Sequence, residues 1–204
     1  MSLTDLKANS KFRIGIILIV TIVLFLGGIA IMQMNKLSQL TDDMYNHPLS
    51  VSKAVLEIEE HVNAMQRSLG DVAQSETPES LEAALLMVEF HEQQIHKYYT
   101  VLYEKYLGER QQLDYAHNLS LELNSIRDEV IALRKAGSRQ AAMQIVTLKG
   151  APHIKRIFEA LNPMVEFADH EALKLLNDSQ ARQKTSMGWL VFTLLCGVRP
   201  IRFI

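Results

Sequence analysis

The chain has 204 residues, a formal net charge of −2 and 48% hydrophobic residues, enough for one domain with a real core beside a membrane segment. Its single cysteine, Cys196, excludes an intrachain disulfide and a c-type haem attachment site, which needs two. Over residues 33–186 sixteen Lys and Arg face twenty-two Asp and Glu, a balance that argues against nucleic acid as a partner.

The first element is Ile14–Met32, nineteen residues without a charge, Asn, Gln or Pro. At about 1.5 Å per residue it covers roughly the 30 Å of a bilayer's hydrocarbon core, so a transmembrane helix is expected over 14–34. Lys7, Lys11 and Arg13 precede it against Asp5, whereas Lys36, Asp42 and Asp43 follow it. Excess basic charge marks the cytoplasmic side. Residues 1–13 are therefore expected inside and residues 35–186 outside, in the periplasm of a bacterial inner membrane. A cleaved signal peptide is the rival, although the run exceeds the usual apolar length and no A-x-A-like site follows.

Helical periodicity dominates the exported part. Val51, Val55, Ile58, Val62, Met65, Leu69 and Val72 alternate at spacings of four and three, a seam kept over three heptads and ending near Ala73. Pro48 either kinks one long helix or occupies the first turn of a new one. Gly70 is expected to mark an early stop, since glycine is a poor helix former.

Thr77 is placed to cap the second helix, with Pro78 at its first position and Glu79 and Glu82 near its positive end. Its seam is Leu81, Leu85, Val88, Ile95, Tyr99, Leu102 and Tyr106. Glu92 falls where another apolar residue would be expected, and Gly108 is the expected C-cap. A third helix, about Glu109–Ala136, carries Ala116, Leu119, Leu123, Ile126, Val130 and Leu133, with Gly137 beyond its end. A short helix near Arg139–Val146 is expected to be broken by Gly150. Pro152 then opens a last long helix with Ile154, Ile157, Leu161, Met164 and Ala168 on one face and Pro163 bending it. No period-two strand signal of useful length occurs.

The fold expected is all-α: an antiparallel up-down four-helix bundle on an N-terminal transmembrane helix. A partial second transmembrane helix is expected at 187–204. Met187–Val198 is apolar and led by Trp189, but its twelve residues span only about 18 Å before Arg199 and Pro200. This end reads as a truncated or frame-shifted product.

His47-Pro48-Leu49-Ser50-Val51-Ser52, the run from Met65 to Val72, the run from Ile126 to Ile131, and Lys149-Gly150-Ala151-Pro152-His153 carry a resemblance in their order and spacing. Together they resemble the four-helix-bundle sensor domain of methyl-accepting chemotaxis receptors, of the HlyB-like type, over roughly residues 10–195. The resemblance implies a periplasmic sensor working as a homodimer in signal transduction, with a second membrane helix and a cytoplasmic output module following. The module would be a chemotaxis hairpin, a diguanylate cyclase or a histidine kinase, and this chain carries none. Leu69-Gly70 stands where the family often has methionine and lysine.

Arg67 and Ser68 form one ligand-binding candidate, on an outer face shared with Lys53 and Glu60. A guanidinium there would grip an anionic ligand between subunits through two parallel hydrogen bonds; the plain alternative is a solvated face. Lys149 and His153, flanking a glycine at a helix start, form the second, against the alternative of a loop and cap. Arg127, Asp128 and Glu129 read as a solvated charge run with weak ion pairs. His61, His117 and His170 could meet across helices, but the only di-iron-like spacing is Asp114-x-x-His117, so no metal and no cofactor are expected. Without a nucleophile elbow, phosphate loop or paired catalytic carboxylates, an enzyme is not expected. The functional expectation is a sensor for a small anionic ligand or a periplasmic partner protein. Its rivals are a membrane-anchored adaptor that pairs with other receptors and a metal- or haem-carrying bundle.

Overall fold

A computed structural model describes residues 3–198, and every regular element among them is helical. The elements are α1 (Leu3–Met44), a π turn (Tyr45–Leu49), α2 (Ser50–Gln74), α3 (Pro78–Lys105), α4 (Arg110–Lys135), α5 (Arg139–Ile145), a second π turn (Val146–Gly150) and α6 (Ala151–Val198). The chain divides into two units, Met1–Asp43 and Met44–Ile204. In the first unit α1 is long and apolar enough to cross a membrane. Its large apolar side chains, among them Ile17, Ile19, Val23, Leu24, Phe25 and Ile31, stand exposed. The expected partial span at 187–204 falls on residues most of whose side chains, and past Val198 whose backbone, lie outside those described.

In the second unit α2, α3, α4 and the run of α5, the second π turn and α6 form the four long rods of the bundle, joined by short loops at 75–77, 106–109 and 136–138. Such loops leave consecutive helices as antiparallel neighbours. All seven α2 seam residues from Val51 to Val72 are buried. They meet Val88, Ile95, Tyr99 and Leu102 of α3, Leu113, Leu119, Leu123 and Val130 of α4, and Ile157, Leu161 and Met164 of α6 in one core. At roughly 25 cal/mol per Å² of apolar surface removed from water, this stripe supplies the main driving force for folding.

The ends of α3 obey local chemistry. Thr77 accepts from the Ser80 backbone N–H while the Ser80 hydroxyl accepts from the Thr77 N–H, both at 3.1 Å, a reciprocal capping box with Pro78 inside it. At the other end the helix stops at Lys105, and Tyr106 turns extended, its N–H donating to the Leu102 carbonyl at 2.9 Å. Gly108 is therefore not the C-cap. It lies under the buried Tyr106 ring, in space a Cβ would need. After α4, Gly137 takes φ +81°, the left-handed conformation that glycine adopts without steric cost.

Gly70 does not stop α2, which continues to Gln74 with Gly70 buried in the helix. Pro48 neither breaks the backbone nor opens a new helix; it sits buried inside the first π turn. Proline cannot donate to the ladder, and the Ser50 hydroxyl supplies a donor to the nearby Tyr45 carbonyl at 2.7 Å. Gly150 does not break the chain either. Ala142, Val146, Gly150 and Ile154 are all buried at three successive spacings of four. On a regular α-helix each such step drifts by about 40°. The wider i→i+5 turn at Val146–Gly150 takes up that drift and keeps the stripe on the core. Pro163 lies inside α6 as expected.

Candidate functional site

The α3 seam is apolar except at Glu92, where a core residue is due. At that level α3 and α4 part around a cavity of about 370 Å³. Met65 of α2 contributes to the lining, with Ile95 and Tyr99 from α3 and Leu121 and Leu123 from α4 adding apolar surface. Glu92, Gln93 and His96 contribute polar groups from one wall, and His117, Ser120 and Asn124 from the other. A mostly apolar hollow with a few convergent polar groups is the usual form of a small-molecule site.

Arg127 stands beside the cavity and engages two of its lining residues, Glu92 and Asn124. Its guanidinium donates to Glu92 across the helices, to Asp128 at 2.9 Å and to Asn124 at 3.5 Å. Burial alone would lower the Arg127 pKa, but hydrogen bonds to Asp128 and Glu92 outweigh it and hold the group above its ordinary value. Arg127 is thus a fixed cation already engaged by two carboxylates. It is more than the solvated charge run expected from sequence, because its bond to Glu92 ties α4 to α3.

The inner wall is set by Tyr99. Its hydroxyl donates to the Ala116 carbonyl at 3.0 Å and lies 2.7 Å from Ser120 Oγ. Burial drives its pKa well up, so the phenol stays neutral. The His117 ring lies 4.5 Å from the Tyr99 ring, centroid to centroid. Tyr103 donates to Asp114 at 2.8 Å, and a carboxylate can only accept. The second contact of that hydroxyl, 3.2 Å to His117 Nδ1, therefore has the ring N–H donating. The neutral His117 ring keeps its lone pair on Nε2. Burial, then the neighbouring His96, lower the His117 pKa against the opposing pull of Asp114.

The residues singled out from sequence lie elsewhere. Arg67 is exposed, whereas its neighbour Ser68 is buried in the bundle, so the pair does not present one outer surface. Lys149 is exposed and donates to both Glu129 carboxylate oxygens, at 2.8 and 2.7 Å. His153 is buried and its Nε2–H donates to the Leu119 carbonyl at 2.7 Å, pinning α6 to α4. Among the described residues no hydrogen bond or ion pair joins any two of these four. The three-histidine meeting is replaced by two separate pairs, His61 with His91 and His117 with His96.

Against known families the match is to a four helix bundle sensory module for signal transduction, over residues 5–183. The chain belongs to that family. It is the sensory module of methyl-accepting chemotaxis proteins, as the resemblance implied. The chain matches no curated protein and no solved structure. In this sensory module the α3–α4 cavity is where seam, polar groups and free volume coincide.

Proposed function

We propose that the chain is the sensory input region of a bacterial transmembrane receptor, with α1 spanning the inner membrane and the bundle reading a small molecule in the periplasm through the α3–α4 cavity. The cavity at the seam break of Glu92 carries this reading: a bundle built only for rigidity would place an apolar residue there and close the gap. The lining is mainly apolar, and Arg127 is neutralised by Glu92 and Asp128. The ligand favoured is a small molecule with an apolar or aromatic body and one or two hydrogen-bonding groups that meet His96, Asn124 or Gln93.

Binding there would draw α3 and α4 together. A signal arises only if the ligand prefers the drawn-together state over the open one. Nothing in this mechanism requires chemistry on the ligand, so the chain is proposed to be no enzyme. A homodimer of such bundles is the proposed working unit.

Two experiments test the reading. A thermal scan of the full chain in detergent against a metabolite panel should find ligands that raise the midpoint, and Gln93→Trp, which fills the cavity from an exposed position, should abolish the rise. A panel that gives no rise, or a rise untouched by Gln93→Trp, removes the cavity from the mechanism and favours the adaptor reading. A phosphatase reporter fused after residue 120 should be active only if that residue lies outside the cytoplasm, and an inactive fusion overturns the topology.

A further inference from the structure

On the face where α2 meets α3, away from the hydrogen-bonded core of Tyr99, two histidine rings face each other. His61 Nδ1 and His91 Nδ1 are 3.1 Å apart, with ring centroids 5.3 Å apart. Behind His61, the Glu57 carboxylate stands 3.9 Å from Nε2. That acid favours the tautomer carrying its proton on Nε2, which leaves a lone pair on His61 Nδ1. His91 then donates its Nδ1–H to it. Without that proton two ring lone pairs would face each other at hydrogen-bond distance, and a cation taking the proton's place would satisfy both.

We propose that His61 and His91 bind a divalent transition-metal cation of the imidazole-preferring kind, such as Zn²⁺, Ni²⁺ or Cu²⁺, chelated between the two Nδ1 atoms. An ion about 2.0–2.1 Å from each nitrogen, the usual metal–imidazole distance, would subtend about 95–102° across 3.1 Å, between square-planar and tetrahedral geometry, once each ring turns to aim its lone pair at the ion instead of at the other ring. The His91 proton moves to Nε2, so no net charge is lost from the rings. Glu57 becomes the carboxylate that orients a ligating histidine from behind. The charged neighbours are Glu57 and Glu60 against Arg67, a net negative surround that suits a cation. Among the described residues no three His, Cys, Asp or Glu side chains converge on one point. Water therefore completes the coordination, and hard cations that want oxygen cages, Mg²⁺ and Ca²⁺, are not expected to bind. The ion would clamp α2 to α3, the two helices between which the ring pair lies. The site stands independently of the cavity reading.

Full-chain protein in detergent, titrated with ZnCl₂, NiCl₂ or CuCl₂, should gain about 5–10 °C in unfolding midpoint at a hundredfold excess over Kd, while MgCl₂ and CaCl₂ leave it unchanged. His61→Gln and His91→Gln should each abolish the gain, and Gln93→Trp should keep it, which separates this site from the cavity. Copper loaded at one equivalent should show two imidazole nitrogens in its electron paramagnetic resonance spectrum. A midpoint unmoved by any of the three metals, or a gain that survives in the H61Q/H91Q double variant, overturns the proposal. Should a variant lose its helical circular dichroism, the copper spectrum of the unaltered protein decides: fewer than two coupled imidazoles overturns the site.

Discussion

Glu92 of α3 receives a hydrogen bond from Arg127 of α4 beside a wide gap between those helices. The pair replaces the apolar contact that the rest of the α3 seam makes. It is partly screened, since the Glu92 side chain keeps 35% of its surface exposed and Arg127 keeps 19%. Arg127→Met alone should cost about 1 kcal/mol, because it strands Glu92 beside apolar groups. The double variant Glu92→Leu/Arg127→Met should recover most of that loss by filling the seam. A double-mutant cycle in urea measures the coupling, and strictly additive losses would show that the bond contributes nothing to the fold.

Tyr99→Phe should lose about 1 kcal/mol. The change deletes the donor to Ala116 and leaves that carbonyl and the Ser120 hydroxyl to satisfy each other. Tyr99→Ala should cost about 3–5 kcal/mol, since a fully buried ring is removed from the core. Urea unfolding followed at 222 nm distinguishes the two.

The capping box at the start of α3 gives a local test. Thr77→Ala should destabilise the bundle by about 1 kcal/mol, and Thr77→Asp should restore most of it, because the aspartate can still accept from the Ser80 N–H. A wild-type midpoint in Thr77→Ala would mean that the end of α3 frays at no cost.

Stability should rise with pH between about 5 and 7. His91 and His117 are both held below the ordinary histidine pKa, mainly by burial and then by a second histidine, His61 and His96 respectively. A depressed folded-state pKa means that the unfolded chain takes up protons first as pH falls through about 6.5. The stabilisation is complete above that value and is lost towards the lower folded-state pKa. Thermal midpoints at pH 5.5, 6.5 and 7.5 should climb and then level. His117→Asn should flatten part of the slope, and an unchanged slope would assign it to other groups.

Much of this fold was legible from residue spacing. The α2 seam was correct at all seven positions because an apolar stripe with period 3.5 has few alternative burials. Thr77-Pro78 fixed the start of α3 because capping is local chemistry. The cavity was not legible, although both of its marks were visible: Glu92 broke one seam and Arg127 flanked another. Whether they meet depends on the axial stagger of α3 against α4, which the 106–109 loop sets and which no single helix encodes. His153 misled for the opposite reason. A glycine-flanked histidine resembles an anion site, but its Nε2–H is consumed by the Leu119 carbonyl. Gly150 misled, since a breaker ends a helix only where the backbone has no wider turn to adopt; Pro48, whose residue pattern left a kinked long helix and a new start both open, sits in such a turn of a continuing helix.

The π turn at Val146–Gly150 makes the bundle's length negotiable by a single residue. Excising one residue there lets the ladder revert to its ordinary repeat, so this segment can shed an amino acid without severing the rod. A deletion anywhere in the seam of α2, by contrast, would swing every later knob by about 100° off its hole. Lineages of this module should therefore tolerate length polymorphism at one and punish it at the other.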